Sequence, residues 1–164
     1  LALVARTCAE FAASGPAPDA LLAYCEEKIA TCREFVFLDT LKYLARSGRM
    51  SKVGAFFGNA FRVKPVIVHR PEGATKAAVV RSREAGLAYA VDRAREFFSR
   101  SRGEGRPRIL LQHTDEESRA WIEGSVAPAL TDAVPGAELV RAPMSCTAGT
   151  HMGPGTWALA CIHA

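Results

Sequence analysis

The sequence predicts an α/β fold, a two-layer domain with a mixed sheet of about six strands and helices, preceded by two N-terminal helices. Three observations predict it. Short apolar runs (EFVFLD, KPVIVHR, TKAAVVRS, RPRILLQH, AELVRAP and TWALACIH) recur with helix-period segments between them. Residues 65–80 read as two adjoining strands joined at Glu72-Gly73, a hairpin whose antiparallel pair makes the sheet mixed. Residues 83–100 carry Leu87, Val91, Ala94 and Phe98 along one side, the stripe of a long helix that lies on a core. At 164 residues the chain has the size of one ordinary domain.

The elements follow in order. Residues 1–14 read as a helix stopped by Gly15 and Pro16. The absence of an initiating methionine, with an opening in mid-helix, leads to the expectation that residues precede Leu1. A second helix begins near Pro18, a residue suited to a first helical turn, and its apolar face is Leu21, Leu22, Cys25, Ile29 and Cys32. These two helices (residues 1–34) lead into the α/β domain of residues 35–164. The strand EFVFLD ends at Asp39, and TLKYLARSG is helical with Gly48 as its stop. SKVGAFFGNAF reads as a further short helix capped by Ser51. Pro65 places KPVIVHR at a strand beginning or a sheet edge. TDEESRAWIEGSVAPAL is a helix opened by a capping box, with Thr114 as cap and Glu117 three residues on.

Composition removes several function classes. The chain is 49% hydrophobic and 23% charged with a net charge of +4, which fits a soluble globular domain. Its densest basic stretch, Arg93 to Arg108, is interrupted by Glu96 and Glu104 and reads as a solvated helix face; no nucleic-acid partner is expected. No apolar run approaches the ~18 residues that span a bilayer. LALVARTCAEF is broken by Arg6 and lacks the features of a signal peptide. Five cysteines with no C-x-x-C pair fit reduced thiols in the cytoplasm, and four dispersed histidines make no metal-ligand spacing. No metal and no cofactor is expected.

Candidate chemistry gathers in a few places. Asp39, at a strand end, either caps the next helix or faces a cleft. Arg46 and Arg49 flank a Ser-Gly turn, where a guanidinium can pair with a carboxylate or phosphate, or cap helix carbonyls. His113 ends a strand, and His69 and His163 read as sheet-edge residues. The stretch TAGTHMGPGTWALAC is denser. Gly149, Gly153 and Gly155 permit positive φ and close approach of a ligand, so the loop either binds an anion with help from His151 or is a plain Gly-Pro turn. Ser145, Thr147 and Thr150 supply hydroxyls, but no base is visible to pair with them. No catalytic residue is assigned.

Taken together, DTLKYLARSGRMS, RVKPVIVH, Arg81 and Arg83 before a helix, His113 and GTHMGPG resemble the DegV family, in order and spacing, from about residue 35 to the end. The helical opening resembles the segment that precedes them, so the resemblance covers the C-terminal part of a typical member. It implies a bacterial long-chain fatty-acid-binding protein of two α/β domains that enclose one fatty acid such as palmitate, its carboxylate near the domain junction. It further implies presentation of that carboxylate to a separate ATP-dependent fatty-acid kinase subunit for acyl-phosphate formation. On this resemblance His151 contacts or organises the carboxylate, Arg49 positions the head group or the junction, and Thr150, Gly153 and Gly155 shape the site. Phe56, Phe57, Phe61, Met152 and Trp157 either line an acyl tunnel or fill the core. Transient membrane contact is compatible with such a ligand. The family's His-Thr-Gly-Pro-Gly is His-Met-Gly-Pro-Gly here, and Ser47 stands where the family has a first glycine. The family's serine- and glycine-rich loop has no counterpart between Leu1 and Ala164, so the chain is expected to be a fragment holding half of the head-group site. Two other readings are a module that docks a kinase without lipid, and a phosphotransferase using His151.

Overall fold

The computed structural model describes residues 1–48, 64–70, 73–100 and 105–164. Arg49, Phe56, Phe57, Phe61 and the expected helix capped by Ser51 lie outside the described residues. The described elements are helices α1 (Ala2–Ala12) and α2 (Pro18–Thr31), strand β1 (Arg33–Phe37), helix α3 (Lys42–Arg46), strands β2 (Lys64–Arg70) and β3 (Gly73–Val80), and helix α4 (Arg83–Arg100). Strand β4 (Pro107–His113), helix α5 (Glu116–Trp121), a π-turn (Ile122–Val126), helix α6 (Ala127–Ala133), strand β5 (Glu138–Pro143), helix α7 (Cys146–Met152) and strand β6 (Trp157–His163) follow.

The six strands form one mixed sheet in the order β3-β2-β1-β6-β4-β5, in which only β4 and β5 run parallel. The hairpin is β2–β3, with a register shift between Val66 and Ile67. Pro65, the second residue of β2, stands at the strand's beginning. The last strand in sequence sits in the middle because WALACIH is apolar on both sides and buried through its first six residues. Trp157, Leu159 and Cys161 face one core with Phe37, Ile109 and Leu111, covered by α4, the π-turn and α6. The other face divides in two. Leu3 and Val4 of α1 cover Leu110, Ala160 and Ile162, while Leu44 of α3 joins Val36, Leu38, Ile67 and Ala158.

Several expectations change. The apolar face of α2 is rotated: Leu22 and Ile29 are 60% and 66% exposed, and Lys28 is buried. The cause is that α2 packs on α1, with Tyr24 stacked on Phe11 at 4.1 Å, and so turns the 21-24-28 line inward. The cap of α5 is Asp115, not Thr114; its carboxylate accepts from the Ser118 N–H, and Ser118 completes the box. Neither His69 nor His163 is on an edge strand, since β2 and β6 are interior. Gly48 ends α3 as expected, at φ +70°. Among the described residues no helix is long and apolar enough to cross a membrane, and no group of three or more His, Cys, Asp or Glu is placed to hold a metal.

Candidate functional site

The register brings one set of loops to a single end of the sheet. Phe37 ends β1 opposite Val66 of β2 and Trp157 of β6, and Trp157 pairs in turn with His113, which ends β4 beside Pro143 of β5. The segments that follow or precede these residues must therefore meet. Asp39 and Thr40, Lys64, Thr114 and Asp115, and the stretch from Met144 to Thr156 all lie there.

The expected closing loop is for the most part a helix. Cys146–Met152 is α7, capped by Ser145, whose hydroxyl accepts from the Ala148 N–H at 3.2 Å. Gly149, Thr150 and His151 are helical as a result. The Thr150 hydroxyl is exposed and donates to the Cys146 carbonyl at 2.8 Å. His151 is half-buried in the last turn. Only Gly153 and Gly155 have positive φ, +80° and +74°. Space also excludes a side chain at Gly153 and is tight at Gly155. A Cβ on Gly153 would sit 2.1 Å from Tyr43 Cδ2, and one on Gly155 would sit 3.1 Å from Asp39 Cβ. The turn is thus clamped between α3 and Asp39.

Polar contacts pin the same turn. The Gly155 N–H donates to the Asp115 carboxylate at 2.5 Å, and the Thr156 hydroxyl donates to the Met152 carbonyl at 3.1 Å. Thr114 donates to the Thr156 carbonyl through both its N–H and its hydroxyl, at 3.2 and 3.0 Å. The Met144 N–H donates to the His113 carbonyl at 2.7 Å. Burial opposes the charge of Asp115, but the N–H groups of Ser118 and Gly155, the Ser118 hydroxyl and Arg83 outweigh it and hold the carboxyl below its usual value. Asp115 is therefore a fixed anion that anchors the turn.

Asp39 does not cap α3: it pairs with Lys64, and the N–H of Lys42 is taken by the Thr40 hydroxyl at 3.2 Å. Arg83 stands next to Gly155 and pairs with Glu117 at 2.8 Å. Two of the expected lining residues separate. Met152 packs on the cluster of Val36, Leu38, Ile67 and Ala158. Trp157 is 3% exposed on the opposite face, stacked on Phe37 at 3.9 Å, as a core residue. Sequence reasoning missed Asp115, Lys64 and Tyr43. Asp115 had a usable signal, since D-x-x-S forms a capping box as readily as T-x-x-E. Tyr43 had none, because its contact with Gly153 exists only in three dimensions.

What the arrangement offers is a fixed Gly153–Gly155 turn that follows His151 at the end of α7, bordered by Asp39, Asp115 and Arg83, with Met152 packed on the buried cluster of Val36, Leu38, Ile67 and Ala158. That geometry can be set beside known proteins. A family model described as an uncharacterised protein of the DegV family matches residues 1–164. A DegV domain-containing protein of Streptomyces coelicolor is 32% identical over 156 residues, covering 94% of this chain and 53% of the relative. The chain thus spans about half the length of the curated relatives it matches. Among solved structures, the DegV of Bacillus subtilis, described as a fatty acid binding protein, superposes with a TM-score of 0.81 at 23% identity, over 99% of this chain and 56% of that one. A DegV family protein of Eubacterium eligens loaded with heptadecanoic acid superposes with a TM-score of 0.79 at 14% identity, over 99% and 56%. At these identities the likeness shows the fold, and the match to the family model over all 164 residues shows the rest: the chain belongs to the DegV family.

Proposed function

We propose that this chain forms one wall of a long-chain fatty-acid site and binds its ligand without transforming it. The observation that supports the reading is the clamped turn: Tyr43, Asp39 and Asp115 hold the Gly153–Gly155 backbone directly after His151 and the half-buried Met152, a fixed polar end next to a partly open apolar side chain. The carboxylate is held near His151, with Arg49 as second contact and Thr150 shaping the helix that carries His151. The acyl chain runs past the half-buried Met152, with Phe56, Phe57 and Phe61 as further lining. Support comes from the family and from relatives described as fatty-acid binding. The remaining half of the family fold completes the site, and the bound carboxylate is presented to a separate ATP-dependent kinase that forms the acyl phosphate. The Ser145 and Thr150 oxygens are engaged in the backbone of α7, which favours binding over nucleophilic chemistry.

Burial of an acyl chain gains about 0.8 kcal/mol per methylene, on the order of 10 kcal/mol for a fully enclosed long chain. Residues 1–164 alone provide one wall and should bind palmitate weakly. Solvent extraction of the natural protein, followed by mass spectrometry, should return a long-chain fatty acid. His151→Ala should weaken palmitate binding by about tenfold, the loss of one charge-assisted contact. Protein that carries no lipid and gives no heat with palmitate would overturn the reading.

A further inference from the structure

A cleft of about 900 Å³ opens at the opposite end of the sheet, between the C-terminal half of α2 and α4. It lies on the sheet face away from Met152, and β6 separates it from the glycine turn by its whole length, about 20 Å for seven residues. The volume is that of a small-molecule site. Five cationic side chains line it against two carboxylates, Glu27 and Glu96.

Lys28 sits 4.7 Å over the Tyr24 ring and Arg93 5.3 Å over the Tyr89 ring. Arg93 and Arg100 both pair with Glu96. Lys28 has a side chain only 5% exposed, and Glu27, its carboxylate partner at 3.2 Å, is 59% exposed. An ammonium so enclosed is costly unless a well-held anion meets it. Arg33 is fixed at the cleft's rim by donating to the Ala30 and Cys32 carbonyls at 2.6 and 2.9 Å. Nε of Arg93 and both ring nitrogens of His163 are enclosed without a hydrogen-bond partner among the described residues. Flat rings complete the lining: Phe35 and Tyr89 meet edge to face, and His163 stacks on Phe97 at 5.7 Å. Guanidinium forks select phosphate oxygens, and ring faces accept a flat apolar body.

We propose that this cleft is a second ligand site, distinct from the fatty-acid wall, for an organic phosphate with a flat ring, the chemistry of a nucleotide. Lys28 and Arg93 hold the phosphate, and Tyr89 and Phe97 hold the ring. Calorimetric titration of the chain with ADP, pyrophosphate and adenosine separates the two halves of the recognition. ADP should bind saturably at millimolar concentration or below, with pyrophosphate and adenosine each weaker. Lys28→Met and Arg93→Gln should each weaken ADP by about tenfold, while Arg141→Gln, an exposed position on β5, leaves it unchanged. Arg93→Lys, which keeps the charge and the stem but loses the fork, should fall between. Absence of saturable ADP binding to the unaltered chain would overturn the proposal, as would ADP binding that folded Lys28→Met and Arg93→Gln proteins retain in full. Pyrophosphate binding as tight as ADP would overturn the assignment of the ring.

Discussion

Gly153 is held at φ +80° with the Tyr43 ring where a side chain would stand. Replacement by alanine meets two penalties, a backbone conformation that L side chains rarely adopt and a collision with a ring already packed beside α7. Gly153→Ala should cost about 3 kcal/mol or more, read as a lower urea midpoint, and should weaken palmitate binding because the turn moves with His151. The sequence motif marks this glycine as special, yet the motif alone leaves a ligand and a tyrosine equally good reasons for it. Asp115 teaches the converse. Its role as anchor of Gly155 joins residues forty positions apart, a pairing that no local window contains.

Pairs of strands carry the next level of argument. Glu34 of β1 and His69 of β2 face each other with Oε2 and Nδ1 3.0 Å apart. Hydrogen bonding to His69 lowers the Glu34 carboxyl below 4.5, and the same bond raises the His69 imidazole above 6.5. The Glu34 contribution is complete above its unfolded value and is lost as pH falls through the lowered one. The His69 contribution is complete below its unfolded value and is lost as pH rises through the raised one. The pair is therefore at full strength between pH 4.5 and 6.5. With side chains 46% and 30% exposed, its worth is well under about 1 kcal/mol. His69→Gln should lower the melting temperature at about pH 5.5 and leave it nearly unchanged at about pH 8.5. Helix α7 shows where element reading fails. Thr147, Gly149 and Thr150 are weak helix formers, so TAGTHM looks like loop. Contact with α3 and the seating of Met152 on the sheet make it helical.

The whole molecule is a six-stranded sheet with one face closed by α4 and α6 and the other shared between α1 and the α3–α7 pair. Helix α1 is structural cover, since Leu3 is 3% exposed against Leu110 and Ile162. Arg108, buried beneath it, donates to Thr7, Glu10 and Glu138 and joins α1 to the sheet. Leu3→Ala should cost about 2–5 kcal/mol, visible as a lower melting temperature of the entire chain with no separate early transition for α1. The six strands, the hairpin, the long helix and the mixed sheet were all legible, because strand and helix periods and turn residues are local properties of the chain. The family was legible too, through two motifs, DTLKYLARSGRMS and GTHMGPG, each contiguous in the chain. Strand order, the central place of β6, the outward turn of Leu22 and Ile29, and the meeting of Asp39, Asp115, Tyr43 and the Gly153–Gly155 turn were decided only when the sheet formed. Those contacts join distant segments, and their energies depend on which faces are left to bury once the core is complete.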